Sequence, residues 1–274
     1  MKNAIFPAML LLWIGVSVPC GVSAQQQPLW KAKKGSLYAY WGYNRAWFTR
    51  SNLHFNGPNY DFTLYDLAAT DRPSKFGGVY FNPTTITIPQ YNYRLGYHID
   101  DRWSVSLGID HMKYVVTDLQ ETRLSGIITE AASPKYEGAY LNEAITLEGD
   151  LLKFEHTDGF NLVTLDAEYL FPIAALAKGK IGLFWNAGVG GIWVVTKTNV
   201  KVFGDGLDND FHVAGFSLAA KTGPRIELGR RFFVASELKS GYASLNSVLV
   251  KNEAPEIGDH NLTFLNSFSH TLNS

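Results

Sequence analysis

The stretch Gln90–Val116, QYNYRLGYHIDDRWSVSLGIDHMKYVV, decides the fold. Tyr91, Tyr93, Leu95, Tyr97 and Ile99 alternate with Asn92, Arg94, Gly96 and His98. After Asp100-Asp101-Arg102 the alternation resumes, with Trp103, Val105, Leu107 and Ile109 set against Ser104, Ser106, Gly108 and Asp110. A period of two sends successive side chains to opposite faces, so each run predicts an extended strand with one apolar and one polar face. The break between the runs is too short for anything but an antiparallel hairpin. Aromatic residues rim the apolar face at both ends, and small or charged residues fill the other, as in a barrel wall with lipid outside and polar residues inside. A soluble sandwich alternates too, so the class depends on the rest of the chain.

The 274 residues suffice for one domain of ordinary size, and at 46% hydrophobic, 14% aromatic and 18% charged they favour strands over a helix bundle. The net charge of -1 leaves no basic surface for nucleic acid. Lys2, the nearly continuous apolar run from Ile5 to Val18 and the small-x-small site Val22-Ser23-Ala24 predict a cleaved export signal over residues 1–24. Residues 25–35 then form a periplasmic lead-in and residues 36–274 the main domain. The single cysteine, Cys20, lies in the leader, and its approach through Ser17-Val18-Pro19 is wrong for lipid modification. A mature chain without cysteine fits an exported bacterial protein that needs no disulfide. No later segment is a long enough apolar run for a membrane helix. A place in the membrane therefore requires a closed barrel, because lipid offers backbone groups no partner except across strands.

Alternation recurs along the chain. A first strand spans about Ser36–Phe48, and others are expected over Gly159–Phe171, Lys180–Val195, His212–Leu228, from Phe232 to Tyr242 and near His260–His270. Between them lie long polar insertions at Thr49–Ile88, Thr117–Asp158, Thr196–Phe211 and Ala243–Gly258, and short turns at Asp100–Arg102, Pro172–Gly179 and Gly229–Arg231. Connections that alternate long and short suit a barrel with loops on one side of a membrane and turns on the other; a sandwich has no reason to sort them. The expectation is an all-β protein: a single antiparallel up-and-down transmembrane β-barrel of about eight strands, with long extracellular loops and short periplasmic turns.

On these features the chain resembles the small outer-membrane β-barrel proteins of Gram-negative bacteria, the OmpX-like and OmpA-barrel-like group, and is most similar to barrels of Bacteroidetes. The resemblance covers Ser36 to about His270 and is one of architecture, with weak motifs. It implies an outer-membrane location, with membrane lipid and lipopolysaccharide as surroundings. One departure is the C-terminus, where such barrels usually end on an aromatic: here Phe268 is the nearest, followed by a tail that ends Thr271-Leu272-Asn273-Ser274.

A barrel of this size is filled by its own side chains. Strand parity puts Arg94, Asp110, Asp166, Glu168, Lys221, Arg225, Glu237 and Lys239 inside, where acids and bases balance and predict a network of ion pairs. An ion or proton path through the same residues is the functional alternative. The first long insertion is aromatic for an exposed segment, with Trp47, Phe48, Phe55, Tyr60, Phe62 and Tyr65. It predicts either a binding surface or a lid in which DFTLYDL makes an extra hairpin.

The catalytic candidates are His54, His111, His156 and Asp158, with Ser51 or Ser125 as nucleophile. No Gly-x-Ser-x-Gly elbow is present, and the plainer reading is that these residues cap strands and order loops. Asp205, Asp208, Asn209 and Asp210 cluster around glycines as calcium ligands do, but without the spacing of a known loop, and a solvated acidic loop explains them as well. No cofactor and no metal are expected. The favoured role is structural or interaction-based, through an extracellular ligand or protein held by the loops. A lipid-modifying hydrolase or acyltransferase at the extracellular rim, and a narrow pore or uptake barrel, remain open.

Overall fold

The structure, a computed structural model, describes residues 34–75, 77–82, 84–85, 89–206, 210–229 and 231–249, with the backbone alone at 207–208 and 257–269. The expected export signal, most of the lead-in and the last five residues lie outside the described residues.

Among the described residues, fourteen strands form one sheet. The first is β1 (Leu37–Phe48), followed by β2 (Ser51–Gly57), β3 (Tyr60–Leu67) and the short β4 (Ala69–Thr70). The hairpin of residues 90–116 is β5 (Tyr91–His98) and β6 (Trp103–Val116). After β7 (Glu121–Ile128) and β8 (Gly138–Thr146) come the long β9 (Leu152–Leu176) and β10 (Ile181–Val202). The chain ends with β11 (Asp205–Asp208), β12 (His212–Leu228), β13 (Phe232–Leu249) and β14 (Ile257–Ser269). Antiparallel pairing runs β1-β5-β6-β9-β10-β12-β13-β14, and β14 pairs again with β1, Phe264 opposite Phe48 and Ser269 opposite Tyr43.

Short turns join β5–β6, β9–β10 and β12–β13 at one end, the base. The first is an Asx turn: Asp100 Oδ1 accepts the N–H groups of Arg102 and Trp103, each at 2.7 Å, which is why the hairpin reverses there. At the other end, the crown, the sheet grows. Gly258–Asn261 of β14 pair with β2 in place of β1, and the order continues β2-β3-β7-β8.

The two ends are built with opposite polarity. Near the base of β6 the inner face carries Ser104, Ser106 and Asp110, while Trp103, Leu107 and Ile109 are exposed. Higher on the same strand the inner face becomes Met112, Tyr114 and Val116, all buried. β9 repeats this, with Thr164, Asp166 and Glu168 buried towards the base and Leu152, Phe154 and Phe160 towards the crown. In β10, Trp185, Val189 and Trp193 are exposed near the base; in the crown Val194, Val200 and Val202 are buried, with Asn199 and Lys201 exposed. In β6, β9 and β10 the same alternate positions stay inward along the whole strand. What changes is which face is apolar.

The insertions expected as loops are largely strand. Residues 117–158 contain β7, β8 and the start of β9; residues 196–211 continue β10 and add β11; β13 runs on to Leu249. The physical reason is the inversion: beyond the switch the outward positions turn polar, so a strand sought by its apolar outer face looks like loop. Within the first insertion β2 and β3 pair across the two-residue Pro58-Asn59 turn and join the wall. Phe55, Tyr60 and Phe62, read from the sequence as an exposed binding surface or a packed lid, are buried there. Phe55 stacks on Phe62 at 5.2 Å; Phe55 also meets Phe154 of β9, and Phe62 meets Phe203 in the turn after β10. Tyr65 is half-buried, and Trp47 is exposed at the end of β1 rather than in a loop. An ionic latch closes the β7–β8 side: Lys135 Nζ bridges Glu148 and Asp150 at 2.6 Å each, and Tyr136 Oη donates to Asp150 at 2.7 Å.

Two outcomes test this account. Phe62→Ala should lower unfolding free energy by about 3–5 kcal/mol, the usual cost of an emptied aromatic site, while Glu121→Ala on the exposed face of β7 stays within about 0.5 kcal/mol in the same urea titration. Hydrogen bonds from Lys135 and Tyr136 hold the Asp150 carboxyl down to about 2. The latch is therefore complete above the ordinary carboxylate range and is lost as pH falls through about 2. A carboxyl NMR titration should show the Asp150 midpoint rising towards its ordinary value in Lys135→Ala.

Candidate functional site

Inside the base, the eight inward charges form a ladder. Asp110 Oδ2 accepts Arg94 Nη2 at 2.7 Å and Lys239 Nζ at 2.6 Å. Asp166 Oδ2 accepts Arg94 Nε at 3.2 Å and pairs with Lys221 Nζ at 3.0 Å and Lys239 Nζ at 3.8 Å. Lys221 also reaches Glu168 at 3.0 Å and Glu237 at 3.9 Å. Arg225 stands at the end nearest the base, pairing with Glu227 at 3.1 Å and lying 3.6 Å over the Phe233 ring. Acids and bases interleave along the inner face, so each carboxylate lies beside at least one cation. That compensation is required, because a buried charge without a partner costs several kcal/mol.

Neutral groups on the same inner faces complete the ladder. Glu168 also accepts from Tyr38 Oη at 3.2 Å, from Asn186 Nδ2 at 3.0 Å and from Ser106 Oγ. Glu237 accepts from Asn186 Nδ2 at 2.8 Å and Tyr40 Oη at 3.3 Å. The alternation of Tyr38 and Tyr40 with Leu37, Ala39 and Trp41 carried that signal. Glycine makes room for the long side chains: Gly108 lies opposite Arg94 in the β5–β6 register, and a Cβ there would overlap Arg94 Cδ and Nη1.

On the outer wall, at the level where polarity switches, β6 and β9 form a cleft of about 340 Å³. His111, on the outward face of β6, is 5% exposed and stacks on Tyr91 with ring centroids 5.2 Å apart. Its Nδ1 meets Asn161 Oδ1 at 2.9 Å. From inside the wall, Asn44 Nδ2 donates to the carbonyls of both Tyr91 and His111 at 3.1 Å, fixing the two strands beneath the cleft.

The catalytic candidates do not converge. His54 pairs with Asp61 at 2.8 Å on the outer side of the β2–β3 hairpin. His156 is fully buried on the inner face beside Tyr114 and bonded to Thr198 Oγ1 at 3.1 Å. His111 faces outward, and Asp158, which borders the same cleft, pairs with Lys197 at 3.9 Å. The Ser51 hydroxyl bonds Tyr114 Oη at 2.8 Å, and Ser125 Oγ accepts the Asn142 N–H. Asp205 and Asp208 of the acidic cluster belong to β11, paired against β10, and the side chains of 208 and 209 lie outside the described residues. Among the described residues no three His, Cys, Asp or Glu side chains gather as a metal site.

No family model and no curated protein matches the chain. Among solved structures it is similar to the crystal structure of the outer membrane protein OprG from Pseudomonas aeruginosa, at 11% identity and a TM-score of 0.40, over 90% of this chain and 99% of that one. It is also similar to Ail, the attachment invasion locus protein of Yersinia pestis, at 13% identity and a TM-score of 0.28, over 87% of this chain and 99% of that one. Likeness of that degree says nothing about activity or ligand.

Arg94→Ala should cost about 3–5 kcal/mol in unfolding free energy, because Asp110 and Asp166 both lose a partner. Gly108→Leu, which leaves every charge in place but occupies the path of Arg94, should also destabilise measurably. Ser240→Ala on the exposed face of β13 should stay within about 0.5 kcal/mol.

Proposed function

We propose that this chain is an integral outer-membrane β-barrel protein in which β1, β5, β6, β9, β10, β12, β13 and β14 close as one barrel. Its base crosses the bilayer, the short turns lie in the periplasm and the crown stands outside the cell. The observation that carries this reading is the inversion of polarity. A wall apolar outside and charged inside suits lipid, and a wall polar outside with an apolar core suits water. A strand that passes from one to the other crosses an interface. The switch is level: Ile109, Val163 and Trp193 are cross-strand partners in the last apolar rung, and Lys113 and Lys197 lie four residues further along β6 and β10. Strand length agrees. A barrel strand crosses a membrane in about 9–11 residues; β9 has 25 and β10 has 22, enough to span and then project.

The role that fits best is structural or interaction-based at the cell surface, without conduction. The charge ladder fills the lumen of the base and the aromatic core fills the crown, two closures in series. Membrane lipid and lipopolysaccharide surround the base, and the crown is what an extracellular ligand or protein would meet. A hydrolase has little support, since His54 lies on the outer side of the β2–β3 hairpin, His111 faces outward from β6 and His156 is buried on the inner face.

The test is reconstitution of the purified protein in planar bilayers. The wild type should enter the membrane, migrate on gels in a heat-modifiable form and give no steady current. Arg94→Ala should unfold at lower temperature and still not conduct, because the crown core remains. Large, steady single-channel currents from the wild type would overturn the closed reading.

A further inference from the structure

The cleft on the outer wall combines three properties. Beneath it the surface is apolar: Ile109, Val163 and Trp193 face outward on one rung, and Ile109 and Val163 form the floor of the cleft itself. Above it the surface is charged: Lys113 lies two residues beyond His111 on the same face of β6, and Lys197 is held 3.9 Å from Asp158. Between them sits a buried polar group. Asn161 Nδ2 points to the Val195 carbonyl at 3.4 Å, which turns its Oδ1 towards His111 Nδ1 at 2.9 Å. In that arrangement Nδ1 carries the proton, and Nε2 of the neutral ring is an acceptor. Among the described residues Nε2 meets no partner, although the residue is 5% exposed and lines the cleft. Phe211 forms a further wall, its ring placed where a side chain on Gly159 would stand.

We propose that this cleft is a binding site for one membrane lipid with a phosphate- and hydroxyl-bearing headgroup. The headgroup hydroxyl donates to His111 Nε2, the phosphate lies between Lys113 and Lys197, and an acyl chain runs down the Ile109–Val163 rung. This rests on the membrane reading, because only a lipid held at that level places its headgroup at the switch and its tail along the apolar rung. The ordered contacts explain the chemistry. An acceptor facing the cleft takes a donor from the ligand, Lys113 and Lys197 offer a phosphate two cations with Asp158 and Asp71 as the nearby acids, and the apolar floor suits an acyl chain.

The probe is dioleoyl-phosphatidylglycerol added to the full, delipidated protein in detergent, with bound lipid read by native mass spectrometry. Wild type should retain one lipid per chain, and dioleoyl-phosphatidylcholine, which has no hydroxyl, should be retained at least threefold less. His111→Ala and Asn161→Leu should each lower phosphatidylglycerol occupancy at least fivefold, and Lys197→Gln at least twofold, while Leu218→Ala, exposed on β12 away from the cleft, leaves it unchanged. Heat-modifiable migration checks that each variant is folded. Should His111→Ala fail that check, Lys197→Gln and the comparison of the two lipids decide the matter. Equal retention by wild type and the folded cleft variants, equal retention of the two lipids, or no one-to-one adduct would each overturn the site. A protein that enters bilayers but shows one of those results refutes the site alone; a protein that does not enter bilayers refutes the membrane reading as well.

Discussion

Carboxylates and cations buried on the same inner face must find each other, and the base of this protein is organised around that requirement. Arg94, Asp110, Asp166, Glu168, Lys221, Glu237 and Lys239, with Tyr38, Tyr40 and Asn186, come from β1, β5, β6, β9, β10, β12 and β13. Each of those strands therefore contributes a group whose position is tied to its neighbours within hydrogen-bond distance. A slip of one residue in any strand would turn its whole inner face outward and leave part of the ladder uncompensated. The ladder specifies register more than it adds stability, since paired buried charges largely offset their own desolvation.

The crown obeys a different rule with the same strands. Met112, Tyr114, Phe154, Phe160, Val194, Val200 and Leu245 continue the inner faces that carry charge below, and they bury against Leu53, Phe55, Phe62 and Leu64 of the β2–β3 hairpin. Without that hairpin and the β7–β8 pair, the apolar inner faces of β9 and β10 would have too little to bury against. The additional strands are thus the consequence of the inversion, and β14 serves both halves by pairing with β1 along one part and with β2 along the other. The cleft at His111 lies at the joint, where a polar ring can be buried in a wall whose lower part is apolar and whose upper part is charged.

Legibility in the sequence followed the same division. In the base, strict alternation separates two faces, so strands β5, β6, β12 and the lower parts of β9, β10 and β13 can be read directly, and the inward charges can be named from parity. In the crown the parity of β9 and β10 persists but its chemistry reverses, and Phe154-Glu155-His156 or Val200-Lys201-Val202 no longer looks like the wall it continues. Whether Phe55, Tyr60 and Phe62 form a surface or a packed lid stays open in the sequence for a related reason: the short hairpin alternates correctly, but nothing local states that an apolar inner surface waits beside it.

By itself, then, the sequence determined the strand periodicity, the short turns, the two faces of the base and the residues that carry charge inside it, because these follow from alternation over a few neighbouring positions. Only the tertiary structure decided which charges pair, that β14 changes partner, that the expected insertions are strands, and that His111, Tyr91 and Asn161 meet. Those facts depend on cross-strand register between segments far apart in the chain, such as Arg94 with Asp166 or His111 with Asn161, and no local pattern encodes a distance across a sheet.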